Sequence, residues 1–114
     1  NLPDKIFQLK NLEYLYAYSN EIKELPKTLF RMEHLKVLHL ADNKIEEIPS
    51  EMTALPNLKV LNLSGNKLKN IPEDIFEMAS LEEINLSKNP SLNSDSIYDL
   101  LMKSGRRDKI NLVL

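Results

Sequence analysis

Tyr14, Tyr16 and Tyr18 alternate at a spacing of two, so on an extended strand their rings leave one face together. Counting 23 residues on from Tyr14 and Tyr16 reaches Val37 and His39, and 23 more from His39 reaches Asn62. Phenols, an imidazole, a small apolar group and a carboxamide are suited to holding a partner by buried area and hydrogen bonds. Tyrosine in particular anchors interfaces, because it covers much surface while losing few rotamers. We take Tyr14, Tyr16, Tyr18, Val37, His39 and Asn62 as the candidate binding residues, with Tyr16 central.

Bond-making chemistry finds less support. Neither His34 nor His39 has a serine or acid at a nucleophile or metal spacing. With Gly65 and Gly105 as its only glycines, the chain has no phosphate loop. Cysteine is absent, which excludes thiol catalysis, cysteine zinc sites and disulfide-stapled ends. The acid pairs Glu46-Glu47, Glu73-Asp74 and Glu82-Glu83 read as solvated faces. The sequons at Asn62 and Asn85 read as by-products of repetition, because sugar there would block the strand face. Arg106 and Arg107, in the tract Lys103 to Lys109, read as solvated charges after a helix end, where cations are favoured. The expectation is a chain that is not an enzyme, with no cofactor and no metal.

Fifteen basic against seventeen acidic residues give a net charge of -2, which weighs against nucleic acid or an anionic membrane as partner. No apolar run approaches 18 residues, so no membrane span is expected. The chain starts with Asn1 and not Met, so the lack of a signal peptide carries little weight. The compartment stays open, tilting toward the cytoplasm.

The elements that must position these residues come from a repeat. Leu12, Leu35, Leu58 and Leu81 stand 23 residues apart, as do Asn20, Asn43, Asn66 and Asn89. Within each unit the L-x-x-L-x-L portion alternates like a short strand with its leucines inward, and stacking such strands makes a parallel sheet. The asparagine follows where the chain leaves the strand, and its amide supplies donors and an acceptor for backbone groups that the ladder cannot serve. Behind it come Ile22 and Leu25, Ile45 and Ile48, Leu68 and Ile71, closed by Pro26, Pro49 and Pro72. Proline forbids a central strand there, so the far side is extended or begins a short helix. Leu29 with Met32, Met52 with Leu55, and Ile75 with Met78 complete the inward set. Phe7, Phe30 and Phe76 share a column, interrupted by Thr53, and are expected to fill the core behind the sheet.

Residues 1–11 read as the second half of a repeat, with Leu2, Pro3, Ile6, Phe7 and Leu9 matching Leu25, Pro26, Leu29, Phe30 and Met32. We expect a longer parent chain, or another cover for the strand edge at Leu12 to Ala17. Full repeats occupy 12–34, 35–57 and 58–80, and 81–114 holds the last repeat with a C-terminal cap. After Asn89 the period breaks into a helix, capped by Asn93 or Ser94, with Ile97, Leu100 and Leu101 on one face, and stopped by Gly105. Ile110, Leu112 and Leu114 then alternate as a final strand.

The spacing of Leu58, Leu61, Leu63, Asn66, Leu68 and Ile71, with a tail such as Leu68 to Met78, resembles the typical 23-residue class of leucine-rich repeat proteins. The tail is similar to that of Ras-binding scaffold repeats, their plant relatives and many bacterial repeat proteins. Departures are Ala17 in place of leucine, Pro90 after Asn89, and the lack of cysteine-rich flanks. The resemblance implies an α/β, right-handed leucine-rich repeat solenoid with a parallel concave sheet, an irregular or short-helical convex side, and a helix-plus-strand cap.

It also implies a non-catalytic protein-protein interaction module that binds a protein or peptide on its concave face. The alternative is a structural or regulatory repeat segment of a larger signalling or enzymatic protein. Self-association through the N-terminal edge strand is expected at high concentration.

Overall fold

The structure, a computed structural model, describes residues 9–114. The half-repeat read from Leu2, Pro3, Ile6 and Phe7 therefore lies outside the described residues. Five three-residue strands, β1 (Tyr14–Tyr16), β2 (Val37–His39), β3 (Val60–Asn62), β4 (Glu83–Asn85) and β5 (Asn111–Val113), form one parallel sheet in chain order. The 23-residue period sets the register: Leu15, Leu38, Leu61 and Ile84 pair in line, as do Tyr16, His39, Asn62 and Asn85. Neighbouring strands add no slippage, because a one-residue shift would turn the leucines to solvent.

The inward columns fill as their spacing requires. Leu38, Leu61 and Ile84 are wholly buried, and so are Leu35, Leu58 and Leu81 beside them. Burial of each such side chain is worth about 1.5–3 kcal/mol relative to exposure. On the convex side Pro26 and Pro49 sit in extended backbone, and their carbonyls accept from Leu29 and Met52 at 3.1 and 3.0 Å. Each contact opens a short 3-10 helix, at Lys27–Arg31 and Ser50–Ala54, with a third at Ile75–Glu77. These turns carry Leu29, Met52 and Ile75 into the core. Phe76 is fully buried and Phe30 half-buried, as a core-filling column requires.

The asparagine column joins the turns. Asn66 donates to the carbonyls of Leu40 and Leu63 at 3.0 Å each and to Ser64 at 3.1 Å, and Asn43 and Asn89 repeat the set one turn away. Each also accepts an N–H from the turn before it, Asn43 from Ile22, Asn66 from Ile45 and Asn89 from Leu68. No buried side-chain nitrogen or oxygen among the described residues lacks a partner.

The residue before each asparagine, Ser19, Asp42, Gly65 and Lys88, has φ between 56° and 66°. Only glycine adopts this left-handed conformation without steric cost. At Gly65 a β-carbon would also run into the Asp42 carboxylate.

Pro90 stands where the 23-residue period stops. Lys44 and Lys67, one position after their asparagines, donate to Ile22 and Ile45 at 2.8 and 2.9 Å. Pro90 holds the equivalent position after Asn89 and has no N–H to give. The chain departs into helix α1 (Ser94–Ser104), with Asn93 Oδ1 accepting from Ser96 N–H and Gly105 closing it at φ 73°.

Three expectations need correction. Arg106 is not a solvated charge: it is half-buried, and its guanidinium donates to the carbonyls of Phe76, Met78, Ala79 and Leu81. It thus ties the cap to carbonyls at the end of the last 3-10 turn, while Arg107 is exposed. Leu9, matched by spacing to the buried Met32, is exposed. In the final strand Ile110 is buried and Leu112 half-buried, but Leu114 stands at the sheet edge, exposed.

Candidate functional site

Because the leucines of each strand take the inner face, the intervening residues take the concave one. Tyr14, Tyr16 and Tyr18 are 54 %, 59 % and 55 % exposed, a large aromatic area for one strand. Val37, His39 and Asn62 are half-buried beside them. All six candidate residues therefore lie on β1 to β3 or just past their ends, on one surface. Ala41, two residues after His39, is buried, with its N–H 3.5 Å from the His39 ring.

His39 is the hub. Its ring centroid lies 5.9 Å from that of Tyr16 and 5.2 Å from that of Tyr18, both tilted, within the range that favours edge-to-face aromatic contact. On the other side Asn62 Nδ2 is 3.2 Å from His39 Nε2. Asn62 Oδ1 already accepts the Ser64 N–H at 3.0 Å, so it is the amide nitrogen that meets the ring and Nε2 that accepts. The Ala41 N–H points at Nδ1 from the other side, and a neutral ring, with one acceptor nitrogen, serves one of these two donors at a time.

The same row continues to Asn85, whose Oδ1 accepts the Ser87 N–H at 3.0 Å and the Ser87 hydroxyl at 2.7 Å. Sequence reading placed Asn85 outward without marking it as a binding residue. Its signal was the shared spacing with Asn62 and the serine two residues on. The parallel row runs Tyr14, Val37, Val60, Glu83.

At the strand entrance Lys36 Nζ lies 2.7 Å from Glu13 Oε1. The hydrogen bond from Lys36, then its charge, holds the Glu13 carboxyl below the ordinary glutamate range, and the reciprocal contact raises Lys36. Both side chains remain in solvent, so the pair orders the rim more than it stabilises the fold. A concavity of about 700 Å³, lined by Phe30, Arg31, Glu33 and His34 among others, lies away from the tyrosine row. It brings together no set of groups that would act jointly on a ligand.

Among the described residues no three histidines or acids gather to hold a metal ion, and no helix is long and apolar enough to cross a membrane. What the concave surface can do is present an aromatic anchor, a row of amides and a flanking acid to something laid across it.

Comparison with known proteins gives consistent matches. A family described as "Leucine rich repeat" matches residues 33–90, and one described as "Leucine Rich repeats (2 copies)" matches residues 10–55. No curated protein matches. Among solved structures, a leucine-rich repeat protein of Leptospira interrogans is similar over the whole of this chain, with 28% identity and a TM-score of 0.71. The chain spans 34% of that protein's length.

Proposed function

The chain belongs to the leucine-rich repeat family, and from that premise we propose that it is a non-catalytic protein-protein interaction module whose working surface is the concave sheet. Such repeats commonly serve as interaction modules, and this fold is typically non-catalytic. The observation that carries the reading is the exposure of Tyr14, Tyr16 and Tyr18 in a row, braced by His39. Rings that remain more than half exposed in the free protein still have area to bury against a partner.

The test is capture of a protein partner by the wild-type chain, followed by titration of variants. Tyr16→Ala and His39→Ala weaken binding, by about 2 kcal/mol or more at a hot spot, and leave folding intact. Charge reversals at Lys23, Glu47 and Lys69, exposed and off the sheet, leave binding unchanged. The opposite pattern assigns the work to another surface.

A second reading draws on the match covering 34% of the neighbour's length: the chain is a structural or regulatory segment of a longer repeat protein. Self-association belongs with either. Among the described residues β1 pairs with β2 alone, and an unpaired strand edge is a template for a strand from a second copy. Sedimentation across a concentration series tests it. A monomer at millimolar concentration rules it out.

A further inference from the structure

The amides of Asn62 and Asn85 are turned the same way. A backbone N–H can only donate, so the Ser64 and Ser87 N–H groups commit both carbonyl oxygens to their own turns and fix the rotation of each amide. The group left for a partner is the NH2. One Asn62 N–H meets His39, and the Asn85 nitrogen has no partner among the described residues.

These donors belong to register neighbours on adjacent strands, whose backbones in a parallel sheet run about 4.8 Å apart. Two N–H···O bonds of about 2.9 Å that open to about 110° at a shared oxygen span this same distance. A carbonyl oxygen, with two lone pairs, is the acceptor that such a pair of donors fits.

The neighbours narrow the class. Glu83 shares β4's outer face with Asn85, and among the described residues its side chain accepts one hydrogen bond, from the Asn111 amide at 3.3 Å. The ion pairs of the described residues involve Glu13, Glu21 and Glu46, so among those residues no cation lies within 4 Å of the Glu83 carboxylate. An anionic ligand at the two amides would meet that uncompensated charge, whereas a neutral carbonyl would not. Along the row leading to Glu83 stand Tyr14, Val37 and Val60, an apolar strip beside the amides.

We propose that the concave face takes an extended peptide segment laid across the strands, with one backbone carbonyl accepting from both Asn62 and Asn85. An apolar side chain of the segment rests on Tyr14, Val37 and Val60, and a lysine or arginine pairs with Glu83. The proposal rests on the concave-face reading above and adds the chemistry of the partner to it. A glycan hydroxyl, donor and acceptor at once, would be served by either orientation of the amides. The peptide carbonyl needs the one observed.

The test uses a phage-displayed library of random linear dodecapeptides as probe, with an immobilised glycan panel beside it. Selected peptides carry an apolar residue close to a lysine or arginine. Asn85→Asp keeps an oxygen for Ser87 but replaces the donor, and it weakens the selected peptide about tenfold or more, the scale of one charged or buried hydrogen bond. Glu83→Gln, which leaves the amides in place, weakens it similarly and acts as the check should Asn85→Asp disturb the sheet. A peptide that survives both changes but is lost with Tyr16→Ala overturns the donor pair and leaves the concave-face reading standing. A peptide indifferent to all three overturns both. Enrichment of no peptide, or binding to glycans alone, overturns the peptide class.

Discussion

Asn66 Oδ1 accepts the backbone N–H of Ile45, from the turn before its own, at 3.1 Å. Through its nitrogen the same amide reaches Leu40, also in that earlier turn. Each inner asparagine thus closes its own bend and fastens it to the preceding one. Asn20 is the exception among the described residues, since its amide reaches only Ala17 and Tyr18.

Asn66→Ala is expected to destabilise the domain by about 1–3 kcal/mol, because buried backbone groups in two turns lose their partner. Asn62→Ala, which removes half-buried bonds to the Ser64 N–H and the His39 ring, is expected to cost less, about 0.5–1 kcal/mol. Urea unfolding of the two variants decides: equal losses mean that the inward and outward faces are wrongly assigned.

The left-handed column yields opposite effects at two of its members. Gly65→Ala is expected to cost about 1–2 kcal/mol, from the positive φ alone and before any displacement of Asp42. Lys88→Gly relieves the same strain and is expected to stabilise by up to about 1 kcal/mol, less the added chain entropy of glycine. Thermal melts showing both variants on the same side of the wild type would contradict this.

Arg106→Ala and Arg107→Ala separate clamp from solvated charge. The first removes charged hydrogen bonds to carbonyls at 3.2–3.4 Å, among them Phe76 and Leu81, and should cost about 1.5–3 kcal/mol. Lysine should not rescue it, for it lacks the planar fork. The second should fall within about 0.5 kcal/mol. Denaturant midpoints with unchanged slopes provide the measurement.

The Glu13–Lys36 pair predicts a pH signature. Glu13 is lowered on folding, so its contribution is present above the unfolded carboxylate range and is lost as pH falls through the folded value. Lys36 is raised, so its contribution is present below the unfolded lysine range and is lost as pH rises through the folded value. NMR titration of the Glu13 carboxyl should show the lowered midpoint, and Lys36→Gln should return it to the ordinary range. A midpoint that does not move with Lys36→Gln excludes the pair as its cause.

Much of this was legible because the fold is periodic. Subtracting 23 aligns Tyr16 with His39 and Asn62, and the sheet pairs them so. The inward leucines and the asparagines are legible for the same reason: one residue type recurs in each column, so type and role coincide. The left-handed column was not, since Ser19, Asp42, Gly65 and Lys88 share a backbone angle and no side-chain chemistry. Arg106 was missed because its partners lie 25 to 30 residues away, across a boundary where the period no longer applies. The orientation of the Asn62 and Asn85 amides depends on which oxygen a serine N–H occupies. Spacing does not encode that.

The N–H that Pro90 withholds bears on how such a chain varies through inheritance. Pro90 and the helix-plus-strand cap follow Asn89 whatever number of turns comes before. A duplicated copy of residues 35–57 spliced ahead of Leu58 would meet the same carbonyls and amide oxygens on either side and would reach the same terminator. The surface would lengthen by one strand, about 4.8 Å, with no residue of the cap altered. In-frame duplication or loss of whole units is therefore a route by which this molecule changes reach while its ending stays as it is.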